Sequence, residues 1–328
     1  MKRRQFSATA LGFALAGSLL AAPALAQGTA WDLAAAYPAT NFHTENMAQL
    51  VADVDKATNG AFKITLHAGA SLFKAPEIKR AVQGAQAQMG EILLANFQNE
   101  WQIYGADGLP FLADSFAESK KLYQAQKPFL EKKLAEQGMM LLYAVAWPPQ
   151  GLYTKTPIAS AADLKGIKWR AYSPATARIA ELVNAQPVTV QAAEFSQALA
   201  TGVVDSTMTS GATGVDSKLY EHLKYYYDLQ AWLPKNAIIV NKKAFDGLNH
   251  GNQEALLKAG KAAEERGWAA AEKVNTDTLA KLKANGMQVL KPSPELAADM
   301  KKVGDTMLKE WLAKAGPDGQ ALVDAYRK

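Results

Sequence analysis

The 328 residues include no cysteine and only four histidines. Without cysteine there is no disulfide framework, thiolate metal site, iron–sulfur cluster or Cys nucleophile. His43, His67, His222 and His250 are not spaced as metal ligands. The chain also lacks a G-x-S-x-G elbow, a Walker A loop and a G-x-G-x-x-G fingerprint. Residues 209–214 (TSGATG) are small and Gly-rich but lack the phosphate-loop lysine. Past the first residues no apolar run approaches the length of a membrane span. Lys and Arg are interspersed with acids, so the basic stripe that nucleic-acid binding needs is missing too. These absences argue against an enzyme, a cofactor, a metal site and a nucleic-acid partner.

What is present begins with a leader. Residues 1–26 carry a basic start (Lys2, Arg3, Arg4), an apolar run from Ala8 to Leu20 and a closing Ala-Leu-Ala. This is the pattern of a cleaved export signal, and the twin arginine before Gln5-Phe6 resembles a Tat signal. The formal charge is +5, and three of the positive charges lie in the leader with no negative one, so the mature chain carries +2. A chain that is 49% hydrophobic can bury a core without disulfide staples.

Periodicity predicts strands over 31–37, 62–67, 91–95, 139–147, 167–171, 188–190, 203–208, 225–229 and 237–240. Helices are predicted over 44–57, 76–86, 120–136, 161–166, 174–184, 193–201, 216–223, 252–285 and 295–315. Such alternation indicates α/β with largely parallel sheets. Pro148-Pro149 and Trp232-Leu233-Pro234 stiffen the backbone where a chain crosses between domains. Two α/β lobes joined by crossing segments make a clamshell that binds ligand in its cleft and closes by a hinge. The expected division is 27–147 with 236–275 as lobe I and 148–235 with 276–328 as lobe II, the helix 252–285 crossing both.

Several segments, in order, resemble the solute-binding proteins of tripartite ATP-independent periplasmic (TRAP) transporters, the DctP type. Residues 161–171 contain ADLKGIKWRA, similar to that family's DLKGLKIR. The others are Thr58–Ile64 (TNGAFKI), Leu109-Pro110-Phe111, Ala193–Leu199, Gly202–Asp205 and Lys218–Glu221. The resemblance implies a periplasmic clamshell that hands an organic acid to a small and a large membrane permease subunit, driven by an ion gradient. It assigns Arg170, in the K-x-R element, to the ligand carboxylate; a guanidinium fork matches that group bidentately. The sequence departs from the family elsewhere. Gln150 stands where a second arginine is common, Thr209 followed by Ser210 replaces the carboxylate-touching Asn, and Leu94 aligns with an acid of the sialic-acid type.

Fewer charges and more apolar surface point to a monocarboxylate with an apolar or aromatic body, such as a 2-oxo or 2-hydroxy acid. Tyr37, Phe42, Trp147, Tyr172 and Trp232 sit at strand ends or crossovers as candidate walls. Lys74, Asn96 and Asn236 are candidate polar contacts, and His43 is placed in the first loop beside the cleft. An ABC-type or chemosensory binding protein, or a secreted hydrolase, would share much of this pattern. The exported chain is expected to begin near Gln27, which its intact mass checks; retention of residues 1–26 would show that the segment is not a cleaved leader.

Overall fold

The computed structural model describes residues 28–328. The leader lies outside the described residues. The first lobe opens with strand β1 (Thr29–Ala34), helix α1 (Phe42–Ala57), β2 (Phe62–His67), α2 (Ala75–Gln83) and β3 (Met89–Leu93). Two 3-10 segments (Leu94–Phe97, Gln102–Gly108) lead to α3 (Phe116–Glu136) and β4 (Met139–Ala146). The second lobe follows as β5 (Gln150–Thr154), β6 (Lys168–Ala171), α4 (Pro174–Leu182), β7 (Gln186–Thr189), α5 (Phe195–Ala200), β8 (Ser206–Ser210), α6 (Gly211–Asp216) and β9 (Tyr225–Tyr227). The chain then returns as β10 (Lys235–Asn241), α7 (Lys242–Asp246) and α8 (His250–Ala284), and ends with β11 (Gln288–Leu290) and α9 (Pro294–Arg327).

Two sheets result, ordered β2-β1-β3-β10-β4 and β11-β9-β5-β8-β6-β7. The chain passes from the first to the second between Ala146 and Gln150, returns between Tyr227 and Lys235, and crosses a third time through α8. Within each sheet one strand opposes the parallel direction: β10 is antiparallel to β3 and β4, and β5 to β8 and β9. The expectation of largely parallel sheets therefore needs one exception per lobe. Both exceptions are the strand that has just arrived from the other lobe. It enters at the cleft end, without a same-sheet helical crossover to turn it parallel.

Local departures from the expected elements have similar causes. The strand β5 follows Pro148-Pro149 directly, and the prolines hide it. The helix expected over 216–223 is not formed. Ser210 caps α6 earlier by accepting from the Thr213 amide at 3.2 Å, and Lys218, at φ 50°, breaks the chain before a 3-10 turn at Leu219–Glu221. The last helix runs on past Ala315, with a break at Gly316 (φ 59°, ψ −138°) ahead of Pro317.

Helix α8 is 35 residues long. It lies close on β4 because Gly260 and Gly267 leave no room for a side chain: an added Cβ would meet Leu142 at 2.8 Å and Val145 at 2.5 Å. Asn46 of α1 donates to the Ala263 carbonyl at 2.8 Å, and Arg266 reaches back to Asn46 and Asp53, fastening α1 to this helix.

At the return crossover Lys235 and Asp107 are fully buried, with Nζ and Oδ2 3.5 Å apart. Asp107 also accepts the Lys235 amide at 2.8 Å. Burial pushes the carboxyl up and the amine down, and each partner opposes the other's shift. Removing one member leaves an uncompensated buried charge. Lys235→Met should therefore destabilise the fold by about 3–5 kcal/mol. Adding Asp107→Asn, which keeps an acceptor for the Lys235 amide position, should recover part of that loss in urea unfolding. Equal stability of Lys235→Met and wild type would refute the account.

Candidate functional site

In both sheets the parallel strands end, and the antiparallel strand begins, on the same side. Ala146 of β4 lies opposite Lys235 of β10, and Ser210 of β8 opposite Gln150 of β5. This is where open α/β sheets hold ligands. A cavity of about 390 Å³ sits there, between the lobes.

Seven of the twelve residues singled out from sequence line it: Tyr37, Lys74, Trp147, Gln150, Arg170, Tyr172 and Thr209. Arg170, in β6, is 3% exposed. Its Nε donates to the Val190 carbonyl at 2.9 Å. Its guanidinium carbon lies 4.2 Å from the centroid of Phe195 and 5.0 Å from that of Tyr172. The two rings fix the plane of the fork. Among the described residues no Asp or Glu oxygen comes within 4.0 Å of it. Burial pulls its pKa down to about 10, countered by Tyr172 and Tyr37, so it stays charged at neutral pH.

Lys74 and Glu194 are the other charged residues of the lining, and the remaining polar groups are neutral. Gln150 is held by both ends of its amide: Nε2 donates to the Pro148 carbonyl at 2.9 Å and Oε1 accepts from the Tyr172 hydroxyl at 3.0 Å. Thr209 is buried, and its hydroxyl makes no hydrogen bond among the described residues. Lys74 is exposed at the rim, where its backbone amide donates to the Glu77 side chain at the start of α2.

Trp147 supplies an aromatic wall. Its ring meets Tyr37 at 4.8 Å, Phe42 at 5.4 Å and His43 at 4.5 Å between centroids. Phe42 thus supports the wall and does not line the cavity. His43 lies in α1, buried and held neutral, with burial pulling it down to about 3. Asn236 also stands behind Trp147, accepting from its indole Nε1 at 2.8 Å. Ser210 is occupied as the α6 cap. Trp232 is buried, and its carbonyl accepts the Gln150 amide at 2.9 Å. Asn96 lies in a 3-10 turn, with its Oδ1 buried and unpartnered. None of these last residues reaches the cavity.

Sequence reasoning passed over Ala36, Leu93, Gln191, Glu194 and Thr213, which also line the cavity. It also passed over Glu91. This carboxylate is 1% exposed in β3 and accepts from the Asn236 Nδ2 at 2.7 Å. Two donors and two acceptors make a one-way relay: Trp147 N–H to Asn236 Oδ1, then Asn236 N–H to Glu91. The donor-only indole and the carboxylate fix the direction of the amide between them. A lone glutamate inside an apolar strand was the available signal.

Comparisons with known proteins show the family and the fold. A family profile, DctP, described as bacterial extracellular solute-binding protein family 7, matches residues 33–315. A solute-binding protein of Albidiferax ferrireducens is 25% identical over 302 residues, 88% of each chain. DctP6, a Bordetella pertussis extracytoplasmic solute receptor binding pyroglutamic acid, superposes with a TM-score of 0.90. It is 62% identical and covers 91% of this chain and 99% of its own. A TRAP solute-binding protein from a marine metagenome, specific for pyroglutamate, has a TM-score of 0.90 and 44% identity over 92% of this chain and 99% of its own.

Glu91 carries a measurable cost. Burial raises its pKa from 4.5 to about 7, against the hydrogen bonds from Asn236 and the Ala36 amide. A raised carboxyl pKa gives stability that is full below the unfolded value and is lost as pH rises through the folded one. Glu91→Gln should therefore gain on wild type between pH 4.5 and 7, by up to about 3 kcal/mol above pH 7. A difference in melting that stays constant from pH 4 to 8 would refute this.

Proposed function

This chain belongs to the DctP family of bacterial extracellular solute-binding proteins, family 7, and from that premise we propose that it captures pyroglutamate through an Arg170–carboxylate pair. It is a TRAP solute-binding protein with the two-lobed clamshell of that group, which fits the capture of an organic acid for transport. The observation that carries the finer reading is the buried, charged Arg170 fork facing the cavity, with no carboxylate among the described residues within ion-pair distance of it. A cation in that position is stabilised by an anion from outside.

The remaining chemistry of the cavity supports a small ring acid. The unpartnered Thr209 hydroxyl is placed to donate to the same carboxylate. Ala36, Leu93 and Trp147 offer apolar surface to a ring. The Tyr37 hydroxyl is kept protonated by burial and by Glu91, and with Gln191 it is available to a lactam. Two proteins at 62% and 44% identity are described as binding pyroglutamate, which fits this pattern. Pyroglutamate is a monocarboxylate with a neutral ring, narrower than the 2-oxo and 2-hydroxy acids the sequence suggests.

The same reading covers delivery. The chain is exported to the periplasm, its leader is removed, and the loaded clamshell passes its ligand to the small and large permease subunits. Lobe I would comprise 27–147 and 236–275, and lobe II 148–235 and 276–328, closing about the two crossovers and α8. Sheet membership supports this division for the strands, whereas α9 packs chiefly on α3 and the 3-10 turn Gln102–Gly108 of lobe I.

Calorimetry on the ligand-free protein tests the site. Arg170→Ala should weaken pyroglutamate binding by roughly a hundredfold or more, since it removes one partner of a buried charge pair. Undiminished affinity in that variant would overturn the arginine pair. In a thermal-shift screen pyroglutamate should stabilise the protein more than succinate or glutamate. Stabilisation by diacids alone would overturn the monocarboxylate reading.

A further inference from the structure

Asn41 and Asp216 lie outside the cavity, on different lobes. Asn41 is the N-cap of α1: its Oδ1 accepts from the His43 amide at 2.9 Å. That use of the oxygen turns the Nδ2 outward, and it donates to Asp216 Oδ2 at 2.7 Å. Asp216 is the last residue of α6, in the second lobe. This is the one hydrogen bond of its side chain among the described residues, and no cation there comes within ion-pair distance. Asn41 is 1% exposed and Asp216 half-buried, so the contact is partly shielded from bulk water.

The placement of this pair matters for closure. Helix α1 is fastened to α8 around Ala263 and Arg266. Helix α6 rests on α8 a dozen residues further on, where an added Cβ at Gly211 would meet Thr278 Oγ1 at 2.7 Å. Helices α1 and α6, from different lobes, thus rest on successive stretches of α8, and the Asn41–Asp216 bond joins them directly. Its partners also continue the cavity walls, since Asn41 follows Tyr37 and Asp216 follows Thr213.

We propose that Asn41 and Asp216 form a latch that sets ligand affinity from outside the cavity by holding the clamshell shut. The proposal rests on the capture reading above. Apparent affinity scales with the fraction of molecules in the binding-competent state, so a contact made only on closing raises affinity without touching ligand. Burial pushes the Asp216 carboxyl up, the Asn41 bond opposes this, Glu45 adds to it and Lys281 offsets it. The closed state thus carries a desolvated carboxylate whose compensation is chiefly the Asn41 amide.

The chemistry of the pair supplies a variant that separates latch from fold. Asn41→Asp caps α1 as well as asparagine does, but sets two carboxylates face to face. Asp216→Asn keeps a neutral bond. The double variant Asn41→Asp/Asp216→Asn reverses donor and acceptor and restores the contact. Calorimetry and stopped-flow with pyroglutamate should show about a tenfold loss in Asn41→Asp, mostly as faster release, a smaller loss in Asp216→Asn, and recovery in the double variant. Melting of the ligand-free proteins should stay alike. Because the chain has no cysteine, Lys56→Cys with Gln197→Cys gives a clean spin-label pair across the lobes. Its distances should lengthen in Asn41→Asp and return in the double variant.

Unchanged affinity and distances in Asn41→Asp, or a loss that the double variant does not restore, would overturn the latch. If wild type takes up no pyroglutamate, the capture reading fails. The spin-label distances then decide the latch alone: longer in Asn41→Asp supports it, and equal distances overturn it.

Discussion

A guanidinium buried with no carboxylate within ion-pair distance among the described residues is the constraint on which the rest of the site depends. The protein desolvates Arg170 and gives it one carbonyl and two aromatic faces, none of which bears a full negative charge. Such a group is costly to bury and is kept only where something repays it. On the proposed capture reading, the repayment comes from the ligand and is greatest when the cleft is shut and dry, which would make recognition and closure one event energetically.

The fold supports this by bringing every wall to one edge. Strand ends from both sheets converge there, and the two strands that enter from the opposite lobe start there. Gln150 begins β5 and Lys235 begins β10, so the residues next to each crossover are also the residues beside the cleft. Motion about the crossovers is thereby coupled to the polar groups of the site. The buried Lys235–Asp107 pair pins one crossover, and the doubly held amide of Gln150 pins the other.

Much of this was legible in the sequence. Arg170 is readable because it sits in a short motif whose neighbours keep their order along the chain. Trp147 is readable because an aromatic between a buried strand and two prolines has few other places to go. What was not legible depends on which face of a strand a side chain takes, or on contacts far apart in sequence. Asn236 was expected at the ligand and instead props the indole from behind. Phe42 lies one layer back for the same reason. Glu91 looks like an interruption of an apolar strand until Asn236, 145 residues away, is set against it. Asn41 and Asp216, 175 residues apart, carry no local signal at all. The antiparallel entry of β5 and β10 was hidden because alternating helices and strands predict the parallel rule, and the crossovers are where that rule lapses.

The start of β10 has one more consequence. Lys235 and Asn236 are adjacent, so strand alternation sends them to opposite faces: one to the buried Asp107, the other to Glu91 and Trp147. Adding or deleting a single residue in 232–234 would exchange these two environments if the strand slipped to follow. The ammonium would then be offered to the aromatic wall, and the amide to the unneutralised Asp107. The length of this short connector is thus under as much constraint as the identity of any residue in the pocket, although the connector itself contributes only Pro234 to the lining.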